Sequence, residues 1–200
     1  MSKINKVFYP DKVFYTSDMH FGHKNIIDTC DRPWTDCATM EIALISNWNK
    51  VVPEDGVVFN LGDFTWFSNI SRIKELVDKL NGTIYHVMGN HCYDQGYYRE
   101  GVREIFDGRI YDLLEIKVNN VDDFGYTRMF LSHYPHLCWR TGSFHLHGHI
   151  HSLKGQKSPL KGNFNNVAMY DVGVDNNDYK PVSHIEIMNI LTKQYLYDDR

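Results

Sequence analysis

Val13-Phe14-Tyr15-Thr16-Ser17-Asp18-Met19-His20 opens the stretch that decides the fold. Four apolar or β-branched residues in a row read as a strand buried on both faces. The chain then turns polar and delivers an acid and an imidazole. The same design recurs downstream. From Asp36 to Asn49, the residues Met40, Leu44, Ile45 and Trp48 fall at helical spacing. Val57-Val58-Phe59-Asn60-Leu61 is a second buried strand, and it runs into Gly62-Asp63. Ile73, Leu76, Val77 and Leu80 mark another helix face, stopped by Asn81-Gly82. Thr83-Ile84-Tyr85-His86-Val87-Met88 is a third strand, and Gly89-Asn90-His91 follows it. Strand, helix, strand, helix, strand is the signature of an α/β fold with parallel strands covered by helices.

The second half is richer in strands. Ile110–Val118, Arg128–Leu131, Phe144–Leu146, Met169–Val174, Ser183–Asn189 and Lys193–Tyr197 are the candidates. Asn119-Asn120 and Asp122-Asp123 read as turns. Lys154 to Asn166, with Gly155, Pro159, Gly162 and three lysines, reads as an exposed loop.

At 200 residues the chain is one domain's length, and residues 1–200 are read as a single domain. Apolar residues make up 42% and charged residues 23%, a globular balance that excludes coiled coil and disorder. Lysine and arginine total 21 against 25 acids, a net charge of −4, which disfavours long nucleic acid as a partner. No apolar run reaches the ~18 residues that span a bilayer, and the first residues lack the apolar core of a signal peptide. Cys30, Cys37, Cys92 and Cys138 form no CxxC pair. A cytoplasmic protein with no membrane partner is the expectation. Eleven histidines stand out, since imidazole is the commonest metal ligand.

The polar residues cluster after the strands. To Asp18-Met19-His20, Gly62-Asp63 and Gly89-Asn90-His91 the second half adds Ser132-His133 after Phe130-Leu131. It also adds His147-Gly148-His149-Ile150-His151 after Phe144-His145-Leu146. Ligand sites in open α/β sheets lie outside the carboxyl ends of strands, so five strand ends can converge on one place. Carboxylate, amide oxygen and imidazole suit divalent ions of borderline hardness. Seven such ligands without a cysteine are too many for one tetrahedral zinc and suit two adjacent metals with one bridging carboxylate.

These motifs, in this order, resemble the calcineurin-like metallophosphoesterases, and Ser17-Asp18-Met19-His20-Phe21-Gly22-His23 looks closest to their small prokaryotic and phage-type members. The resemblance covers residues 18 to 151 and implies a four-layer α/β/β/α sandwich of two mixed sheets flanked by helices. It implies that one divalent metal is held by Asp18, His20, Asp63 and His151. Asp63, Asn90, His133 and His149 would hold the other, with Asp63 bridging. His91 is then the catalytic histidine that is not a ligand. Manganese, iron, zinc, nickel and magnesium all fit the donor set. The implied activity is hydrolysis of a phosphoester by a metal-bridging hydroxide, with a phosphodiester of a small nucleotide-like substrate favoured over a monoester.

Where the family commonly has an acid after Gly-Asn-His, this chain has Cys92, read as a small buried cysteine. His23 is a candidate substrate contact or a loop stabiliser, and Arg140 a candidate phosphate contact or a solvated side chain. His147 is a candidate support for a ligand or a core histidine. Lys24, Asn25 and Arg32 are read on the cleft rim, and Asp171 and Asp175 as turn or strand-end residues. Two alternatives stand beside the diesterase: a phosphomonoesterase, and a non-catalytic, partner-binding member of the same fold. The metallo-β-lactamase pattern His-x-His-x-Asp-His fails, because Ser152 follows His151.

Overall fold

The structure, a computed structural model, describes residues 2–94, 100–120, 125–152 and 169–197. In chain order the elements are β1 (Ser2–Phe8), β2 (Val13–Thr16), α1 (Asn25–Thr29), α2 (Cys37–Val51), β3 (Val57–Asn60), α3 (Ile70–Val77), β4 (Thr83–Val87) and α4 (Asn90–Asp94). Then come α5 (Glu100–Ile105), β5 (Ile110–Tyr111), β6 (Leu114–Asn119), β7 (Tyr126–Leu131), β8 (Ser143–His147), β9 (Met169–Asp171), β10 (Val182–Ser183) and α6 (His184–Tyr197). The architecture is α/β, with two mixed five-stranded sheets flanked by helices, ordered β10-β2-β3-β4-β5 and β1-β6-β7-β8-β9.

In the first sheet β2, β3, β4 and β5 are parallel, and only β10 runs against them. Alternation along these strands separates two cores. Phe14, Val58, Ile84 and Ile110 face the helices, where Met40, Leu44, Trp48, Ile73 and Leu76 are buried. Tyr15, Phe59 and Val87 face the other sheet and pack with Leu114, Ile116, Val118, Met129, Leu131 and Leu146. Both flanking helices start on a side-chain cap: Asp36 accepts the Thr39 N–H and Asn69 accepts the Arg72 N–H.

The first half follows the sequence reading to within a few residues. The structure departs from that reading in three places, two in the second half and one at the amino-terminal edge. Ile110–Val118 is not one strand; β5 ends one sheet, and after Asp112-Leu113 the chain enters the other as β6. The two strands expected over Ser183–Asn189 and Lys193–Tyr197 are α6, entered from the two-residue β10. Ile187 and Leu191, four residues apart, are buried while Ile185 faces solvent, so the operative period is helical. Ser183 Oγ accepts the Glu186 N–H, so Ser183 caps α6, a signal that the apolar count hid. The third departure is β1, a mostly exposed edge strand whose Lys3 and Lys6 gave no apolar signal. Asp122-Asp123 and the Lys154–Asn166 loop lie outside the described residues. Among the described residues no helix is long and apolar enough to cross a membrane.

Past their last residues the strands stay joined. Leu61 N–H bonds to Thr16 O, Asp18 N–H to Gly62 O and His20 N–H to Asp63 O. Ser17 pairs in parallel with Gly173, stitching the carboxyl ends of the two sheets together. The segments carrying Asp18, Asp63 and Asp175 are thereby fixed side by side.

Trp48 ties this core to the turn before β4, since it is fully buried and its Nε1 donates to Asn81 O at 2.9 Å. Trp48→Ala is expected to cost about 3–5 kcal/mol through cavity and lost burial, read as a lowered urea midpoint with unchanged slope. A loss under about 1 kcal/mol would show that this core tolerates the void.

Candidate metal centre

Six strand ends deliver the polar cluster. β2 leads to Asp18 and His20, β3 to Asp63, and β4 to Asn90 and His91 on α4. From the second sheet β7 leads to His133, β8 to His149 and His151, and β9 to Asp175. Five of these residues have left-handed backbone: Asp18, His20, Asp63, His149 and His151, with φ between 46° and 71°. Such conformations cost non-glycine residues stability and concentrate at functional sites.

The two carboxylates are held alike. Asp18 Oδ2 accepts the His149 N–H at 2.9 Å and Asp63 Oδ1 accepts the His91 N–H at 3.0 Å. The other oxygen of each points inward. Asp18 Oδ1 and His20 Nε2 are buried and lack a hydrogen-bond partner among the described residues. They stand 4.0 Å apart; Asp63 Oδ2 is 3.8 Å from His20 Nε2, and His151 Nε2 is 3.9 Å from Asp18 Oδ1. These separations are too long for hydrogen bonds, yet within twice a ligand–metal distance of about 2.0–2.2 Å. Beside them Asp63 Oδ2 lies 3.4 Å from His133 Nε2, and Asn90 Oδ1 lies 2.8 Å from His133 Nε2 and 3.1 Å from His149 Nδ1. Leu61 O can only accept, so His133 carries a proton on Nδ1, 2.8 Å away, and turns Nε2 to the cluster. All seven ligands expected from the sequence therefore converge, in two groups that share Asp63.

Glycine is required where main chain meets these carboxylates. A Cβ on Gly148 would strike Ser17 Oγ and Asp18 Oδ2, and one on Gly89 would strike Asp63 Oδ1. The cradle exists because both positions lack a side chain.

Protonation differs sharply across the cluster. Burial lowers His20 to about 2, so it is neutral. Burial raises Asp18. Burial also pushes Asp63 upward, but the hydrogen bond and charge of His133, with the neighbouring imidazoles, outweigh it and hold Asp63 at about 2. His151 is the reverse case: burial opposes its charge, yet Asp175, Cys30 and Asp18 carry it to about 11.

The brace behind His151 was misplaced by the sequence reading. Asp175 is no mere turn residue, since its Oδ2 lies 2.8 Å from His151 Nδ1. Arg32 is not on the rim but buried. It bonds Asp175 through Nε and Nη2 at 2.8 and 3.0 Å, and the carbonyls of Asp18 and Met19 at 2.7 and 2.9 Å. Cys30 joins His151 and Asp175, with donor atoms within 4.8 Å of one another. No spacing motif marks these three; the one available signal was acid and arginine in segments flanking two strand ends.

The remaining expectations divide. His91 stands over Asp63, Nε2 to Oδ2 4.0 Å, with about a third of its side chain exposed. His23 is at the site: its Nδ1 is 3.4 Å from His20 Nδ1, and its ring stacks on Trp66 at 4.0 Å. Arg140 is not brought to the cluster; its guanidinium pairs with Glu115 at 2.7 Å. His147 is buried with Nδ1 3.0 Å from Gly148 O, and Asp171 orders its own loop by accepting the Ser152 and Gly173 N–H groups. Cys92 is buried against His86 and the Gly89 N–H, and burial pushes its thiol to about 12, so it supplies no thiolate.

No family model matches the chain. An uncharacterized protein of Methanocaldococcus jannaschii is 42% identical over 81 residues, which are 40% of this chain and 46% of that protein; the chain thus matches about half the length of this relative. The Gene 66 protein of Mycobacterium phage D29 is 27% identical over 88% of this chain and 94% of its own length. The Gene 66 protein of Mycobacterium phage L5 is 28% identical over 70% and 77%. Among solved structures, a protein of unknown function from Aquifex aeolicus aligns with 89% of this chain and 98% of its own, at a TM-score of 0.64 and 25% identity.

His151 makes one pH dependence predictable. Its value in the folded chain, about 11, exceeds the ordinary 6.5. The charged pair with Asp175 therefore stabilises the chelator-treated protein fully below about pH 6.5, and this contribution is lost as pH rises through about 11. Asp175→Asn should be less stable than the parent at pH 6, with the gap narrowing toward pH 11 in urea titrations. A gap independent of pH would remove this ion pair as the cause.

Proposed function

We propose that the chain is a dinuclear metal-dependent phosphoesterase of the calcineurin-like metallophosphoesterase type, acting on phosphodiesters of a small, nucleotide-like substrate. On this reading the architecture is the family's four-layer α/β/β/α sandwich. The observation that carries it is the buried pair Asp18 Oδ1 and His20 Nε2, unpartnered among the described residues and facing Asp63 and His151. Burying unpaired polar atoms is costly, and a cation offsets that cost. The ordered motifs support the same reading, as does a donor set of carboxylate, amide and imidazole.

Asp18, His20, Asp63 and His151 would hold one ion, and Asp63, Asn90, His133 and His149 the other. When bound, two such divalent ions (manganese, iron, zinc, nickel or magnesium) supply Lewis-acid charge and a water of lowered pKa. The chain's own residues do the rest. Asp63, ionised at neutral pH, is placed to serve both positions. Arg32 and Asp175 fix the Asp18 carbonyl and the His151 ring. His91, fastened by its N–H to Asp63, presents its imidazole at the open side of the cluster. There, protonated, it donates to the leaving oxygen as the P–O bond breaks; the attacking water supplies the new P–O bond and gives up the balancing proton.

The test combines metal content and turnover of the full chain on bis-p-nitrophenyl phosphate and p-nitrophenyl phosphate. About two metals per chain and faster diester cleavage are expected. Asp63→Asn should lose metal from both positions and abolish turnover. His91→Ala should keep its metal and lose about 10²–10⁴ in kcat. Full activity in metal-loaded His91→Ala would remove the general-acid role, faster monoester cleavage would mean a phosphatase, and no bound metal would overturn the proposal in favour of partner binding.

A further inference from the structure

Two large aromatic side chains stay exposed at the edge of the cluster, one beside each group of ligands. Trp66, 36% exposed, follows Asp63 by three residues and is anchored by its N–H to Phe21 O at 2.8 Å. His23 stacks on its indole at 4.0 Å and 10°, and His91 lies 4.8 Å from it, tilted. His23 and His91 in turn flank His20, at 5.3 and 5.5 Å between ring centroids, so Trp66 stands at the Asp18–His20 group. Tyr134, 45% exposed, directly follows His133. Its ring is 5.0 Å from His133 and 4.6 Å from His149, which places it at the Asn90–His133–His149 group. Asp63 links the two groups.

Exposed aromatic rings leave apolar surface in water, and a planar partner stacked on them removes it. Trp66 has one face against His23, so its imidazole neighbours hold the indole in place, and Tyr134 is held edge-on by two imidazoles. Both rings are therefore braced by imidazoles while part of each stays open to solvent. Among the described residues the other exposed aromatic rings are on other elements: Tyr9 follows β1, and Tyr126 opens β7 with Lys117 and Arg128 against its ring.

We propose that Trp66 and Tyr134 are specificity residues that each stack one planar ring of a two-armed phosphodiester, with the phosphoryl group between them at Asp63. The substrate class is then a diester bearing an aryl or nucleobase ring on both arms, which a monoester cannot match. This rests on the phosphoesterase reading, and the experiment separates the two.

The manganese-loaded full chain is assayed on bis-p-nitrophenyl phosphate and on ethyl p-nitrophenyl phosphate, which lacks one ring. The ratio of the two kcat/KM values, compared between proteins, cancels intrinsic reactivity. Stacking on a protein aromatic corresponds to about 5- to 150-fold per ring on alanine substitution. The leaving p-nitrophenyl ring is present in both diesters and lies at His91, beside Trp66, so Trp66→Ala should lower kcat/KM about tenfold or more on both. Tyr134→Ala should lower it on the two-ring diester alone and so drop the ratio about tenfold or more. Trp66→Phe and Tyr134→Phe should stay near the parent, with metal content unchanged throughout. An unchanged ratio in Tyr134→Ala, or unchanged kcat/KM on both diesters in Trp66→Ala, with metal intact, overturns the two-shelf assignment and leaves the phosphoesterase reading standing. If no protein turns over either diester, calorimetric titration with bis-p-nitrophenyl phosphate decides. Affinity weakened about tenfold in both alanine variants upholds the shelves although the activity reading has failed, and equal affinity overturns them.

Discussion

Everything at this site hangs on backbone held in the left-handed region at Asp18, His20, Asp63, His149 and His151. Each such residue costs of order 1–3 kcal/mol unless its surroundings dictate the conformation. Here they do. The segments after β2 and β3 continue to hydrogen-bond beyond the sheet, through Asp18 N–H to Gly62 O and His20 N–H to Asp63 O. Ser17 and Gly173 bridge one sheet to the other. The helix-facing and inter-sheet cores supply the stability that these turns draw on, and Trp48, Phe59 and Leu146 are as much a condition of the site as its ligands.

A second constraint is charge in a confined space. Asp18 and Asp63 both lie near His20 Nε2, where burial alone would favour their neutral forms. The chain treats them unequally. Asp63 has three imidazoles within 4.0 Å of Oδ2 and stays ionised to about pH 2, while Asp18 has its carbonyl tied to Arg32 but its Oδ1 unpartnered among the described residues. A carboxylate bracketed by cationic or bare nitrogens on several sides is suited to being shared. A buried carboxylate with one empty oxygen is suited to closing one side of a cation. That difference follows from neighbours alone, since both acids sit on the same kind of turn after the same kind of strand.

The strands β2, β3 and β4 of the first sheet and the seven converging polar residues were legible because they obey local rules. Runs such as Val57-Val58-Phe59-Asn60 cannot be solvated, and the polar residue that follows each run must lie at its end. What escaped was non-local or weakly patterned. Arg32 and Asp175 are 143 residues apart and meet because α1 and the turn after β9 flank one carboxylate cluster; no spacing along the chain encodes that meeting. Tyr111 and Leu114 look like one strand because Asp112-Leu113 carries no glycine or proline, though the chain changes sheets there. His184–Tyr197 looks extended because isoleucine at positions 185 and 187 imitates a period of two, and only burial shows Ile187 and Leu191 as the working face. Trp66 and Tyr134 were passed over because an aromatic beside a motif residue resembles core until its exposure is known.

Arg32 shows how the scaffold and the cluster are coupled. Its guanidinium holds the main chain at Asp18 and Met19 and both oxygens of Asp175, and Asp175 orients His151. One buried cation thus joins the segment after β2, the turn after β9 and the imidazole after β8. Removing it would leave Asp175 charged and buried against His151 alone, the situation in which a buried pair costs more than it returns. The same geometry explains why Asp175 is carboxylate and not amide: only an anion can accept both guanidinium bonds and still favour a proton on His151 Nδ1, which turns Nε2 toward Asp18. The orientation of the His151 ring is therefore set by a residue that stands outside the cluster's interior.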